Sequence, residues 1–198
     1  MKKSPLHATI QLSMGEYIDA FASLVYEHYQ RAMSDDVLFQ ELSLSDEEQA
    51  RFSVEYSTVL LVMATLAFKV KPKLTTEKYR DRIRQRMAES AYKKILGDAD
   101  EQAISGCMTF YETKVKIFSQ ICTNLYSTVS ANRQKDVVGF ARYLAAQVSS
   151  RDEQSNMKAL ERLGILLSAA NDSFVVLVAN SVQDAVRMDG KPSFVIQK

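Results

Sequence analysis

Apolar positions in this chain recur mostly at three- and four-residue steps, the spacing of one face of an α-helix. Met14, Tyr17, Ile18, Phe21, Leu24, Val25, His28 and Ala32 form the first such face. Ser13 followed by Glu16 is a capping-box pair, each side chain placed to satisfy a free amide of the first turn, so the first helix is expected to start there. Ser34-Asp35-Asp36 is expected to stop it, and residues 34–44 read as a flexible crossover loop.

Ser45 and Glu48 form a second capping box, with Asp46 and Glu47 adding negative charge at the positive end of the helix dipole. Phe52, Tyr56, Val59, Met63, Leu66 and Val70 follow on one stripe, and Val54, Leu61 and Phe68 on the opposite side. A helix apolar on two sides belongs at the centre of a bundle. Pro72 is expected to end it, because the residue before proline avoids helical geometry.

The third helix is expected from about Thr76 to Leu96, closed by Gly97, with a thin stripe of Tyr79, Ile83, Met87 and Ala91 that places it on the outside. The fourth starts near Asp98 or Ser105 and carries Cys107, Tyr111, Phe118, Cys122, Leu125 and Val129 on its inner face. The fifth follows Asn132 and uses Val137, Phe140, Ala141, Leu144 and Val148. The sixth begins near Asp152 and is read as far as Met188, with Gly190 and Pro192 ending it. Ser193-Phe194-Val195-Ile196 is expected to be extended or disordered.

Six helices with mostly short connections imply an all-α protein: a single-domain antiparallel helical bundle of about six helices over residues 1–198, with 1–12 and 191–198 as peripheral or flexible tails. Six glycines and three prolines are few for 198 residues, which disfavours a turn-rich strand fold. No repeat at solenoid spacing and no low-complexity linker is present.

The apolar run Val59–Phe68 is about half the length that spans a bilayer. The run Leu160–Ala179 is interrupted by Asn171 and Asp172, and the start has two lysines with no apolar core behind them. No membrane segment or secretory leader is therefore expected. Cys107 and Cys122, if on one helix, stand roughly 22 Å apart by the helical rise, too far for a bridge. Reduced thiols fit a cytoplasmic protein.

Several chemistries are excluded by what the chain lacks. A carboxylate-bridged di-metal bundle needs Glu-x-x-His on two helices. The only histidines are His7 and His28, and neither has Glu three residues before it. The Cys and His spacing excludes a zinc site, and no phosphate loop, nucleophile elbow or Cys–His catalytic set is readable. No metal, cofactor or catalytic residue is assigned, and the chain reads as a non-enzyme, although active sites assembled from distant residues leave no motif.

Charge is unevenly placed. Residues 34–55 hold seven acidic residues and one basic, whereas residues 69–94 hold ten basic and three acidic, in a chain of net charge +1. Lys78, Arg82, Arg86 and Lys93 fall on one flank of the third helix, and Arg80 and Arg84 on another. Such a stripe is solvated and locally paired with Glu77, Asp81 and Glu89, or docks the acidic segment, or binds phosphate groups through arginine forks. Nucleic acid is the natural form of the last reading and is not favoured, given the neutral overall charge.

His28 lies inside the first apolar stripe, as a core histidine or as a ligand contact. Asp172 falls within the second stripe of the sixth helix, beside Ile165, Ala169, Val176 and Ala179. It is either wet or buried against a partner such as Lys114, which intrudes on the apolar face of the fourth helix.

The leading expectation is a non-catalytic helical interaction or scaffold protein, self-associating as a homodimer or bound to a protein partner. Ile165 and Val176 are its candidate interface. The alternative is a small-molecule-binding bundle with an apolar pocket anchored by His28, Asp172, Lys114 and Tyr111. A further alternative is a nucleic-acid-binding accessory subunit using residues 69–94.

Overall fold

The structure, a computed structural model, describes residues 9–68, 77–123, 125–126, 130–148, 157–184 and 193–197. In chain order the elements are β1 (Thr9–Ser13), α1 (Met14–Met33), α2 (Asp36–Leu42), α3 (Asp46–Ala67) and α4 (Glu77–Leu96). They continue with α5 (Glu101–Ile121), α6 (Ser130–Val148), α7 (Met157–Ala179), β2 (Ser181–Asp184) and β3 (Ser193–Gln197). The fold is an all-α helical bundle with a small antiparallel sheet made from the two ends of the chain.

Both expected capping boxes form. Ser13 N–H donates to Glu16 at 2.7 Å, and Glu16 N–H donates to the Ser13 hydroxyl at 3.3 Å. Ser45 and Glu48 repeat the arrangement at 2.8 and 3.3 Å. The helix thus begun, α3, is the hub: it packs against α1, α5, α6 and α7. Phe52, Tyr56, Val59, Met63 and Leu66 are buried on its main stripe, and Leu61 and Phe68 on the other side, while Val54 is exposed. Each fully buried apolar side chain of this size contributes about 1.5–3 kcal/mol. Helix α4 packs against α1 and α5 through Ile83, Met87, Ala88, Ala91 and Tyr92, and presents charge outward. It closes at Gly97, whose φ of +60° is the left-handed geometry that a side chain disfavours. One core cluster draws on all seven helices.

Four boundaries depart from the sequence pattern. The expected crossover loop at 34–44 contains α2. Asp35 caps it, accepting from Leu38 N–H at 3.0 Å, and Leu38 and Leu42 are buried. Two buried leucines four residues apart hold a seven-residue helix that propensity alone does not stabilise. Helix α3 ends at Ala67, and Pro72 lies outside the described residues. Helix α5 ends at Ile121 with Cys122 as its cap, so Leu125 is buried from the turn beyond, and Val129 lies outside the described residues.

The sixth expected helix, now α7, stops at Ala179 instead of Met188, since the following residues find backbone partners in a sheet. Strand β3 lies between β1 and β2, with Leu12 opposite Phe194 and Val182 opposite Val195. Residues 9–13 and 193–197, both at the expected tails, thus pair with each other.

By length and composition α3 and α7 could each cross a bilayer. Most of the apolar stretch of α3 lies inside the bundle, and less than half of that of α7 does.

Candidate functional site

His28 is buried on the inner face of α1. The Ser173 hydroxyl donates to the Ala169 carbonyl at 3.0 Å, so its oxygen is left to accept from His28 Nε2 at 3.1 Å. That assigns the proton to Nε2. The imidazole edge meets the Phe174 ring at a centroid distance of 5.9 Å. Burial, and secondarily the Arg31 charge, push the His28 pKa below its ordinary value, against a smaller upward pull from Glu27. These contacts are those of a satisfied core histidine.

Lys114 does not meet Asp172, which is exposed on α7. Its partners are on α6 and α3. The Lys114 ammonium donates to the Tyr143 hydroxyl, which donates to Glu55 Oε2 at 2.7 Å. The ammonium stands 4.0 Å from that carboxylate and lies over the Phe110 and Tyr143 rings, 4.6 and 4.8 Å from their centroids. Glu55 has a side chain only 8% exposed, so this arrangement supplies a buried carboxylate with both a donor and a countercharge. Burial, together with the hydrogen bond and charge of Glu55, holds the Tyr143 phenol well above its usual pKa. Glu55 and Tyr143 were not singled out from sequence. The available signal was a carboxylate at the step between Phe52 and Val59, inside a stripe that the pattern marks as buried.

Tyr111 is fully buried and shares a 2.6 Å hydrogen bond with Thr65, tying α5 to α3. Its hydroxyl is taken by Thr65, His28 is held by Ser173, Lys114 by Tyr143 and Glu55, and Asp172 is exposed, so each expected anchor has its own surroundings. Among the described residues, no group of three or more His, Cys, Asp or Glu side chains could hold a metal.

Of the readings of the charged segments, local pairing is seen on α4, where Arg84 lies 3.6 Å from Asp81 and Lys93 2.6 Å from Glu89. The acidic segment docks on α7: Arg162 Nε donates to Asp35 at 2.7 Å, where the carboxylate is only 6% exposed, and Lys158 lies 3.7 Å from Glu41. On α4, Lys94 pairs with Asp19 at 3.1 Å. Arg82 and Arg86 are exposed, and the Lys78 side chain lies outside the described residues.

Among the described residues, two surfaces stand as candidate sites. One is a cleft of about 370 Å³ where the end of α3 meets α4 and α5. The other is the outward face of α7, where Ile165 is 63% exposed and Val176 56%, with Ala169 and Asp172 between them.

No family model, curated protein or solved structure significantly matches the chain.

Proposed function

We propose that this chain is a non-catalytic helical interaction protein that associates with a second copy of itself through the outward face of α7. The observation that carries the reading is the exposure of Ile165 and Val176 on a helix whose opposite side, through Leu163, Leu167, Ala170, Phe174 and Val178, is buried in the bundle. Leaving branched apolar side chains wet along one row is costly, at about 25 cal/mol per Å² of apolar surface.

The row is self-complementary. Two α7 helices running antiparallel, centred between Ala170 and Asn171, set Ile165 of each copy against Val176 of the other. The small Ala169 then lies at the crossing, across from Asp172 of the other copy. This is the isologous geometry of a two-fold dimer. The cysteines at 107 and 122 are unbridged, which accords with a reducing compartment such as the cytoplasm.

Disulfide trapping tests the arrangement in a background with both native cysteines replaced by serine. The double variant Ile165→Cys/Val176→Cys should form a covalent dimer on mild oxidation. Ile165→Cys alone should not, because the two 165 positions then stand about 16 Å apart along the helix axes. Equal trapping by the single and double variants would contradict the antiparallel pairing.

A further inference from the structure

The cleft at the end of α3 combines two kinds of surface. Its apolar floor is Leu66 of α3 and Phe68, which caps that helix, with Val115 of α5, all buried. Its polar wall is Arg80 and Arg84, one turn apart on α4, facing Lys116 of α5. Those three cations line it with the Asp81 carboxylate, and Glu112 stands behind Arg84 with one carboxylate oxygen buried and without a hydrogen-bond partner. Arg84 is held in place by its neighbours: Nη2 lies 3.1 Å from Glu112 and 3.6 Å from Asp81. Its Nε is buried and has no hydrogen-bond partner in the structure. A buried guanidinium donor without an acceptor is unfavourable, and it marks Arg84 as a side chain whose donors the protein leaves incompletely used.

We propose that this cleft binds a small organic phosphate monoester, with the phosphate on Arg80, Arg84 and Lys116 and an apolar or aryl group on Leu66, Phe68 and Val115. The volume is at the lower end of the range for small-molecule sites, which suits a ligand of one ring. Guanidinium pairs suit the several oxygens and near-double charge of a phosphate better than the single charge of a carboxylate. The site uses the Arg80 flank of α4 and leaves Arg82 and Arg86 outside it. It is therefore independent of a surface-wide electrostatic attraction and of the α7 contact.

The test is isothermal titration of the intact protein with phenyl phosphate, inorganic phosphate and benzoate. Phenyl phosphate should bind at millimolar concentration or tighter, and both other probes more weakly. Arg80→Gln and Lys116→Gln should each weaken phenyl phosphate about tenfold, the cost of one charge-assisted hydrogen bond. Arg82→Gln should leave it unchanged. Both lysine and arginine replacements are at exposed positions, and circular dichroism of each variant reports whether it folds.

Absence of phenyl phosphate binding, benzoate binding as tightly, or equal weakening by Arg82→Gln overturns the proposal. A soluble ester and a lipid headgroup share this chemistry. Sedimentation with phosphatidate-containing vesicles, displaced by phenyl phosphate, identifies the lipid source. Phenyl phosphate binding without vesicle binding identifies the soluble one.

Discussion

Tyr143 donates its hydroxyl proton to Glu55 across 2.7 Å, joining α6 to α3, while the same hydroxyl accepts from Lys114 of α5. Three helices are thus tied through one phenol, and a buried carboxylate obtains its donor there. Tyr143→Phe leaves Glu55 buried with Lys114 4.0 Å away and no hydroxyl. It should cost about 1–3 kcal/mol in urea unfolding. Tyr56 is the contrast. It is fully buried on α3, and its hydroxyl has no hydrogen-bond partner in the structure. Tyr56→Phe removes an unsatisfied group and should be neutral or stabilising, by up to about 1 kcal/mol. The same loss of one oxygen at two tyrosines therefore has opposite expected signs, and equal destabilisation at both positions would refute the assignment.

The second prediction concerns pH. His28 has a folded-state pKa below its unfolded value of about 6.5, so the unfolded chain binds the extra proton more readily. The stability that His28 contributes is therefore fully present above pH 6.5 and is lost as pH falls from there toward the folded pKa. His28→Gln cannot titrate. The difference in thermal midpoint between wild type and His28→Gln should move against wild type on acidification through this window. A difference that is flat with pH, or that moves toward wild type, rules out the core role.

The elements that read correctly from sequence are those whose signals are local. Ser13–Glu16 and Ser45–Glu48 specify helix starts through their own backbone amides, and both boxes form. The double apolar stripe of α3 specified its central place, because a helix with two greasy sides has to be enclosed. What failed depended on partners distant in sequence. Helix α2 exists because Leu38 and Leu42 reach the core and Asp35 meets Arg162, 127 residues away. The sequence pattern reads as helix as far as Met188, while the strand at Ser181–Asp184 comes from pairing with β3. The Lys114 partner was sought in Asp172, the unusual carboxylate of the C-terminal stripe. The actual partner, Glu55, sits on the buried stripe of α3 between Phe52 and Val59, where a carboxylate has to find a countercharge from another helix.

Asp172 gives the third prediction. In the proposed antiparallel pair, each Asp172 lies across from Ala169 of the other copy, so two carboxylates of like charge approach the crossing. Asp172→Asn removes that repulsion and should tighten the dimer about twofold at low salt, with the gain fading as salt screens the charges. Dimer dissociation constants of the two proteins at two salt concentrations provide the check. A weaker Asn dimer would place the carboxylate in an attractive contact that this geometry lacks.

Self-association through α7 is the central claim, and sedimentation velocity over a concentration series measures it most directly. The wild-type protein should sediment as a dimer that dissociates on dilution. Val176→Glu should sediment as a monomer with an unchanged circular dichroism spectrum, because the substitution lies on an exposed row and replaces one half of the apolar Ile165–Val176 contact with a charge. A wild-type chain that remains monomeric at the highest concentration, or a Val176→Glu variant that dimerises as wild type does, would contradict the account.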